Sequence, residues 1–205
     1  MSGSEELASI DGRRARRDRN RETVVDAILS IYREGNITPS LDQIAERSGV
    51  SHRSVFRYFE DLDELYQVAI DRHFASIEPL LELGGPVADE LDARVEQYID
   101  HRMRLYEHVA PVARATRMRA PTSDLLSDTL ARNRSRLRKQ TRAHFRSDLN
   151  ALPADDRDAL TNVLTTLVAF EAIEVMRHDQ GLSKTATRRA LVAAFLRLLE
   201  PEAAT

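Results

Sequence analysis

Ser40-Leu41-Asp42-Gln43-Ile44-Ala45-Glu46-Arg47-Ser48-Gly49-Val50-Ser51-His52-Arg53-Ser54-Val55-Phe56-Arg57-Tyr58-Phe59 is the stretch whose reading decides the fold. Ser40 followed three residues later by Gln43 is a capping-box pattern, in which serine and glutamine satisfy each other's free backbone amides. It predicts a short helix ending near Arg47. Ser48-Gly49-Val50 predicts a turn, with Gly49 free to take a positive φ. Ser51 then caps a second short helix that runs to about Tyr58. Ala45 is small enough for close crossing, and Val50 and Val55 have Ile44 and Leu41 to bury against. The pattern reads as a helix-turn-helix, with His52, Arg53, Ser54, Arg57 and Tyr58 left on an outer face.

Working outward, Val25, Ile28, Leu29 and Tyr32 share one helical face, so a helix is predicted from about Arg21 to Glu34, stopped by Gly35-Asn36. Asp61 and Glu64 open a fourth helix that reaches about Ile77, and Pro79 ends or kinks it. After Gly84-Gly85-Pro86, five more segments carry helical spacing: 87–109, 112–119, 123–149, 154–180 and 184–199. None alternates like a strand. The expectation is an all-α chain of about nine helices. Residues 1–19 are expected to form a disordered basic arm, 20–75 a helix-turn-helix domain, and 76–200 a helical domain for effector binding and dimerisation. Residues 201–205 are expected to be disordered.

Composition narrows the classes. The 205 residues contain no cysteine, which removes disulfides, thiolate metal sites and cysteine nucleophiles. The polar, acidic start of the chain lacks the apolar region of a signal peptide, and no run approaches the ~20 apolar residues of a membrane span. A soluble cytoplasmic protein is expected, with no membrane partner. The net charge of -3 gives no overall basic excess, but Arg13, Arg14, Arg16, Arg17, Arg19 and Arg21 cluster locally. Such an arm can neutralise phosphates while the rest of the chain stays acidic. No Ser-His-Asp spacing, glycine-rich phosphate loop or metal motif is present, so an enzyme is not expected. His101 and His108 lie two helical turns apart, about 10 Å of rise, too far for one metal. No metal and no cofactor are predicted.

The residues from Ser40 to Ser51, followed by Val55-Phe56-Arg57-Tyr58-Phe59 and Leu65, resemble the DNA-binding domain of the TetR family of transcriptional regulators, and the similarity covers roughly residues 21–70. Phe170-Glu171-Ala172-Ile173 through Gly181-Leu182-Ser183, then Leu191, Phe195, Leu196 and Leu199, is similar to the family's last two helices. The resemblance implies a sequence-specific regulator, in most members a repressor, that binds a palindromic duplex operator as a homodimer and is released by a small-molecule effector. It implies that Ser40 and Ser51 hold phosphates, that His52, Arg53 and Arg57 face bases, and that Ser54 and Tyr58 hold the DNA backbone. Phe56 stands where the family often has tyrosine, and Leu62 where it often has lysine. Glu60, Asp61, Asp63 and Glu64 around Leu62 would repel DNA if they faced it. Arg17 and Arg19 are then candidates for a replacement contact along the minor groove. A helical interaction protein that has lost DNA binding, and an activator of the same family, are the alternatives.

Beyond residue 75, Leu160, Leu164, Leu167, Val168 and Ile173 give one apolar face and Leu191, Val192, Phe195, Leu196 and Leu199 another, the two candidates for a dimer's four-helix bundle. Polar residues interrupt two apolar stripes: Tyr98 and Arg102 on one, Asn133, Thr141 and His144 on the other. They are the candidates for an effector pocket, against the reading that they satisfy one another in a core. Arg134, Arg138 and Arg142 share a stripe, read as a solvated face paired to Asp124, Asp128 and Asp148, with an anionic effector as the alternative.

Overall fold

Helix begins earlier than the apolar spacing predicts. In the computed structural model, which describes residues 3–200 and side chains from 14 onward, α1 runs Gly3–Arg33. The arginines expected in a disordered arm are therefore helical. Once a helix is nucleated, each further residue adds a bond at little cost, and Arg, Ala and Asp between 13 and 19 include no breaker. Residues 1–2 and 201–205, also expected to be disordered, lie outside the described residues.

The chain is all-helical, with no strand among the described residues. After α1 come α2 (Leu41–Ser48), α3 (His52–Tyr58) and α4 (Leu62–Ile77), then α5 (Leu91–Arg119), α6 (Asp124–His144), α7 (Arg146–Leu149), α8 (Ala154–Leu167), α9 (Phe170–Glu174) and α10 (Lys184–Leu199). Three boundaries differ from the spacing. Pro111 lies inside α5 instead of dividing two helices; a proline forfeits one backbone bond, which a long helix tolerates. The segments expected at 123–149 and 154–180 are each broken, at Phe145 and at Val168–Ala169. Neither break carries a glycine or proline. Phe145 is fully buried, with its ring 5.1 Å from that of Tyr98 and 5.7 Å from that of Phe195, so packing sets the backbone there. A single π-type turn, Val175–Asp179, follows α9.

The chain divides into two compact units. The first comprises the chain through Glu78 together with Pro111–Thr122. In it α2, α3 and α4 pack on α1 around Val24, Ile28, Tyr32, Ile44, Val55, Leu65 and Ile70. Residues 111–122 cluster with this unit and not with the helical domain expected at 76–200. Arg119 explains why: its guanidinium lies 3.8 Å from the centre of the Tyr66 ring and donates to the Ile37 carbonyl at 3.2 Å.

The second unit contains Pro79–Ala110 and the chain from Ser123 onward. Its core gathers Val95, Tyr98, Ile99, Met103, Leu137, Phe145, Leu149, Leu164, Val168, Ile173, Leu191 and Phe195. Leu160, Leu167, Val192 and Leu196 are only partly buried. Among the described residues no single helix is long and apolar enough to cross a membrane. Nor does any group of three or more His, Asp or Glu side chains gather there as metal ligands would.

Candidate nucleic-acid interface

The local sequence builds the α2–turn–α3 unit as a rigid platform. Ser40 caps α2: its Oγ accepts from the Gln43 amide at 3.3 Å, and the Gln43 side chain accepts from the Ser40 amide at 2.9 Å. Gly49 closes α2 at φ 67, and its amide reaches the Ala45 carbonyl. In that left-handed conformation any side chain would be strained. Ile44 and Val55 are fully buried beneath the turn. What remains outside is the other face of α3.

On that face Arg53 is exposed and makes no hydrogen bond or ion pair among the described residues. His52 is exposed, but its Nε2 lies 3.0 Å from Asp42 Oδ1, so the ring is already held by α2. Ser51 Oγ donates to Ser54 Oγ at 3.1 Å and does not cap the helix amides. Phe56 is 50% exposed, an apolar ring set among polar neighbours.

Tyr58 behaves differently from the rest. It is 6% exposed, and its phenol oxygen accepts from Asn20 Nδ2 and from Arg57 Nη2, both at 3.0 Å. A phenol oxygen that accepts twice still has its own proton to donate. The Asn20 bond pulls the phenol below its ordinary pKa against the opposing effect of burial, and Arg57 and Arg16 add to the lowering. The Tyr58 O–H is thus a donor in a cationic setting. Arg57 also lies 5.2 Å from the centre of the Tyr58 ring, which places it with the tyrosine and not with Arg53.

The basic run is joined to this group. Arg14, Arg16, Arg17 and Arg19 are all exposed on α1. Asn20 and Arg21 follow directly, Asn20 on Tyr58 and Arg21 stacked 4.8 Å from the centre of the Phe59 ring. Sequence reading missed Asn20 and Arg21 as positioning residues. No spacing rule connects Asn20 to a tyrosine 38 residues away. Two of the four acidic side chains after α3 are committed. Asp61 caps α4 by accepting from the Glu64 amide at 2.8 Å, and Glu64 accepts from the Glu60 amide and pairs with Arg21 at 3.5 Å.

The five residues expected around an effector all lie in the second unit, but they do not converge. Tyr98 O–H bonds Thr141 Oγ1 at 2.7 Å, and Thr141 donates to the Leu137 carbonyl at 2.9 Å. His144 Nε2 donates to the Arg94 carbonyl at 2.9 Å. These three form a satisfied core network. Asn133 is half-buried with no hydrogen bond among the described residues. Arg102 stands apart from the network, bonded to none of the other four. The arginine stripe pairs otherwise than expected: Arg138 and Arg142 meet Asp158 at 3.6 and 3.1 Å, and Arg134 meets Glu171 at 3.3 Å. Asp148 instead receives two bonds from the buried Arg94, at 2.7 and 3.2 Å.

In comparisons with known proteins, no family model, curated protein or solved structure matches this chain.

Proposed function

We propose that the chain is a sequence-specific, duplex-DNA-binding transcriptional regulator of the TetR type, acting as a homodimer and released from its operator by a small molecule. One observation carries the reading: a capped α2 and a glycine turn hold the short helix α3, which presents Arg53, without a partner among the described residues, and ends in Tyr58, whose buried oxygen accepts twice and still has a proton to give. Unpaired arginine on the second helix suits a guanine edge in the major groove. A tyrosine O–H flanked by Arg57, Arg16 and Asn20 suits a phosphate oxygen. The exposed Phe56 ring suits a thymine methyl, an apolar contact in the same groove. The arginines from Arg14 to Arg19 extend the cationic face along α1.

The dimer reading is supported by what the second unit leaves outside its core. Val163, Val175 and Leu198 are 46%, 44% and 39% exposed, beside the partly buried Leu160, Leu167, Val192 and Leu196. Where such residues adjoin along α8 and α10 they would form an interaction surface. Repression by occlusion of a promoter is the simplest outcome of such binding.

Selection of duplexes from a random pool tests the whole proposal. The expected product is a pseudo-palindrome, with half-sites about 34–36 Å apart or a multiple of that. Recovery of no consensus at low salt, with a monomeric mass at micromolar protein, would leave a helical interaction protein as the better reading. Deleting residues 1–19 should lower the salt slope by about 0.9 for each phosphate that is no longer neutralised, without changing the consensus. An unaltered slope would remove the arginines of α1 from the interface.

A further inference from the structure

Two described guanidiniums of the second unit, those of Arg102 and Arg157, have a buried Nε with no hydrogen-bond partner; Arg157 donates from Nη2 to the Leu152 carbonyl at 3.1 Å, whereas Arg102 meets only a neutral side chain. Arg102 lies on α5 one turn after Tyr98. Its Nη1 reaches Gln140 Oε1 at 3.4 Å, a long contact to a neutral group. Its Nε is buried with no hydrogen-bond partner, and no carboxylate pairs with it among the described residues. Gln140 is itself engaged, donating to the Leu81 carbonyl at 2.6 Å. The carboxylate on this side, Glu82, is held by Arg136. Next to Arg102, the His101 Nε2 is also buried without a partner. Burial first, then Arg102 and Arg104, push that imidazole down to about 4, so it is neutral and adds no negative charge.

A buried charge without a partner is costly, and each such group in a native core calls for an explanation, of which a bound ion or ligand is one. Burial alone lowers the Arg102 pKa, yet a guanidinium this basic keeps its proton, so the imbalance cannot be relieved by neutralisation. The residue as a whole is half-buried, so part of the side chain reaches the surface while its Nε does not. Its setting is apolar: Tyr98 one turn before, Tyr106 one turn after and Leu137 on α6 all belong to the core cluster. One uncompensated positive charge calls for one negative charge, and a planar fork calls for a planar anion.

We propose that Arg102 anchors an anionic small molecule, a carboxylate carried on an apolar body, bound within the second unit. This names the ligand class for the regulator proposed above and rests on that reading for its role, although binding without DNA tests the site by itself.

The probes are octanoate and its neutral counterpart octanamide, titrated into the full-length protein without DNA and followed by calorimetry and thermal melting. Octanoate should bind and raise the melting temperature, and octanamide should bind at least tenfold more weakly. Arg102→Met should weaken octanoate on the order of ten- to hundredfold, as for loss of a charged hydrogen-bonding group. The same variant should melt no lower than the parent when unliganded, because it removes an unpaired charge and keeps the volume. Arg102→Lys keeps the charge but not the fork, and should fall between. Equal affinity for octanoate and octanamide, or full octanoate affinity in Arg102→Met, would overturn the site, as would failure of octanoate to bind. Arg102-dependent octanoate binding in a protein that holds no duplex would support the site while sinking the regulator.

Discussion

Arg53 and Arg94 show two fates of one side chain. Arg53, on α3 of the first unit, is exposed and without a partner among the described residues. Arg94, on α5 of the second, is 8% exposed at its side chain, takes both oxygens of Asp148 and donates to the Ala88 carbonyl at 2.8 Å. The same contrast separates the aromatic hydroxyls. Tyr58 O–H has a proton and no acceptor among the described residues, while Tyr98 O–H is engaged by Thr141. Polar groups that face outward with capacity left over are suited to a partner. Those that close on one another hold a core together. Arg102 departs from that pattern inside the second unit, with a buried Nε that has no partner and only a neutral side chain near its Nη1, and it carries the ligand proposal.

The comparison breaks most sharply at Asp148. If Arg94 is a structural ion, Asp148→Ala leaves a buried guanidinium half-answered and should cost about 3–5 kcal/mol of stability. Arg94→Met combined with Asp148→Leu should recover most of that loss, since an apolar pair of similar volume replaces both charges. Urea unfolding measures both. A loss below about 1 kcal/mol for Asp148→Ala would mean that the pair behaves as a surface bridge.

Acid should find the same region, with a smaller effect. His101 is pushed down to about 4, and burial likewise lowers His144. Each imidazole is neutral in the fold and takes a proton more readily once unfolded. The stability His101 contributes is therefore complete above the ordinary value of 6.5 and is lost as pH falls from there toward 4, and His144 acts in the same direction. His101→Leu should flatten the urea midpoint between pH 6.5 and 4. Because His101 is only half-buried, solvent screening keeps its share below that of Asp148.

The first unit was far more legible in the sequence than the second, for physical reasons. Capping box, glycine turn and helix spacing are local, so Ser40–Gln43, Gly49 and the outward face of α3 could be read from residues a few positions apart. Tertiary pairing is not local. Nothing in the sequence joins Asn20 to Tyr58, or diverts Asp148 from the arginines of α6 to Arg94, 54 residues away. The breaks at Phe145 and Val168 leave no mark in the sequence because packing, and not a glycine or proline, makes them. The polar stripe of α5 and α6 was ambiguous from the outset, since spacing places Tyr98, Thr141 and His144 on inner faces without saying whether they meet one another or a ligand.

On α3 the contrast between reading and holding gives the next test. Arg53→Ala should relax preference at one base position of the operator, by about 1–3 kcal/mol of discrimination. Tyr58→Phe removes the proton offered to phosphate and should weaken all duplexes about equally, because a phosphate contact carries no base identity. Arg57→Ala should follow Tyr58 and not Arg53, since Arg57 is bound to the tyrosine oxygen. A changed consensus in Tyr58→Phe or Arg57→Ala would reverse the assignment of that pair.

The smallest effect falls on Tyr98, and it decides whether the core network touches ligand. Tyr98→Phe removes one buried hydroxyl and leaves Thr141 its bond to the Leu137 carbonyl, so the cost should be about 0.5–1.5 kcal/mol. Thr141→Val is the harsher change. It strands the Tyr98 hydroxyl, 0% exposed, with no acceptor, which should cost about 1–3 kcal/mol. Adding Tyr98→Phe to Thr141→Val should then restore stability, because the stranded group is gone. Such a rescue is the signature of two side chains that exist for each other. Octanoate affinity should stay within about threefold of the parent in Tyr98→Phe, since the carboxylate is held by Arg102 and the ring keeps its place in the core. A tenfold loss in Tyr98→Phe would move the hydroxyl from the core to the ligand and shift the boundary between the two kinds of polar group into the second unit itself.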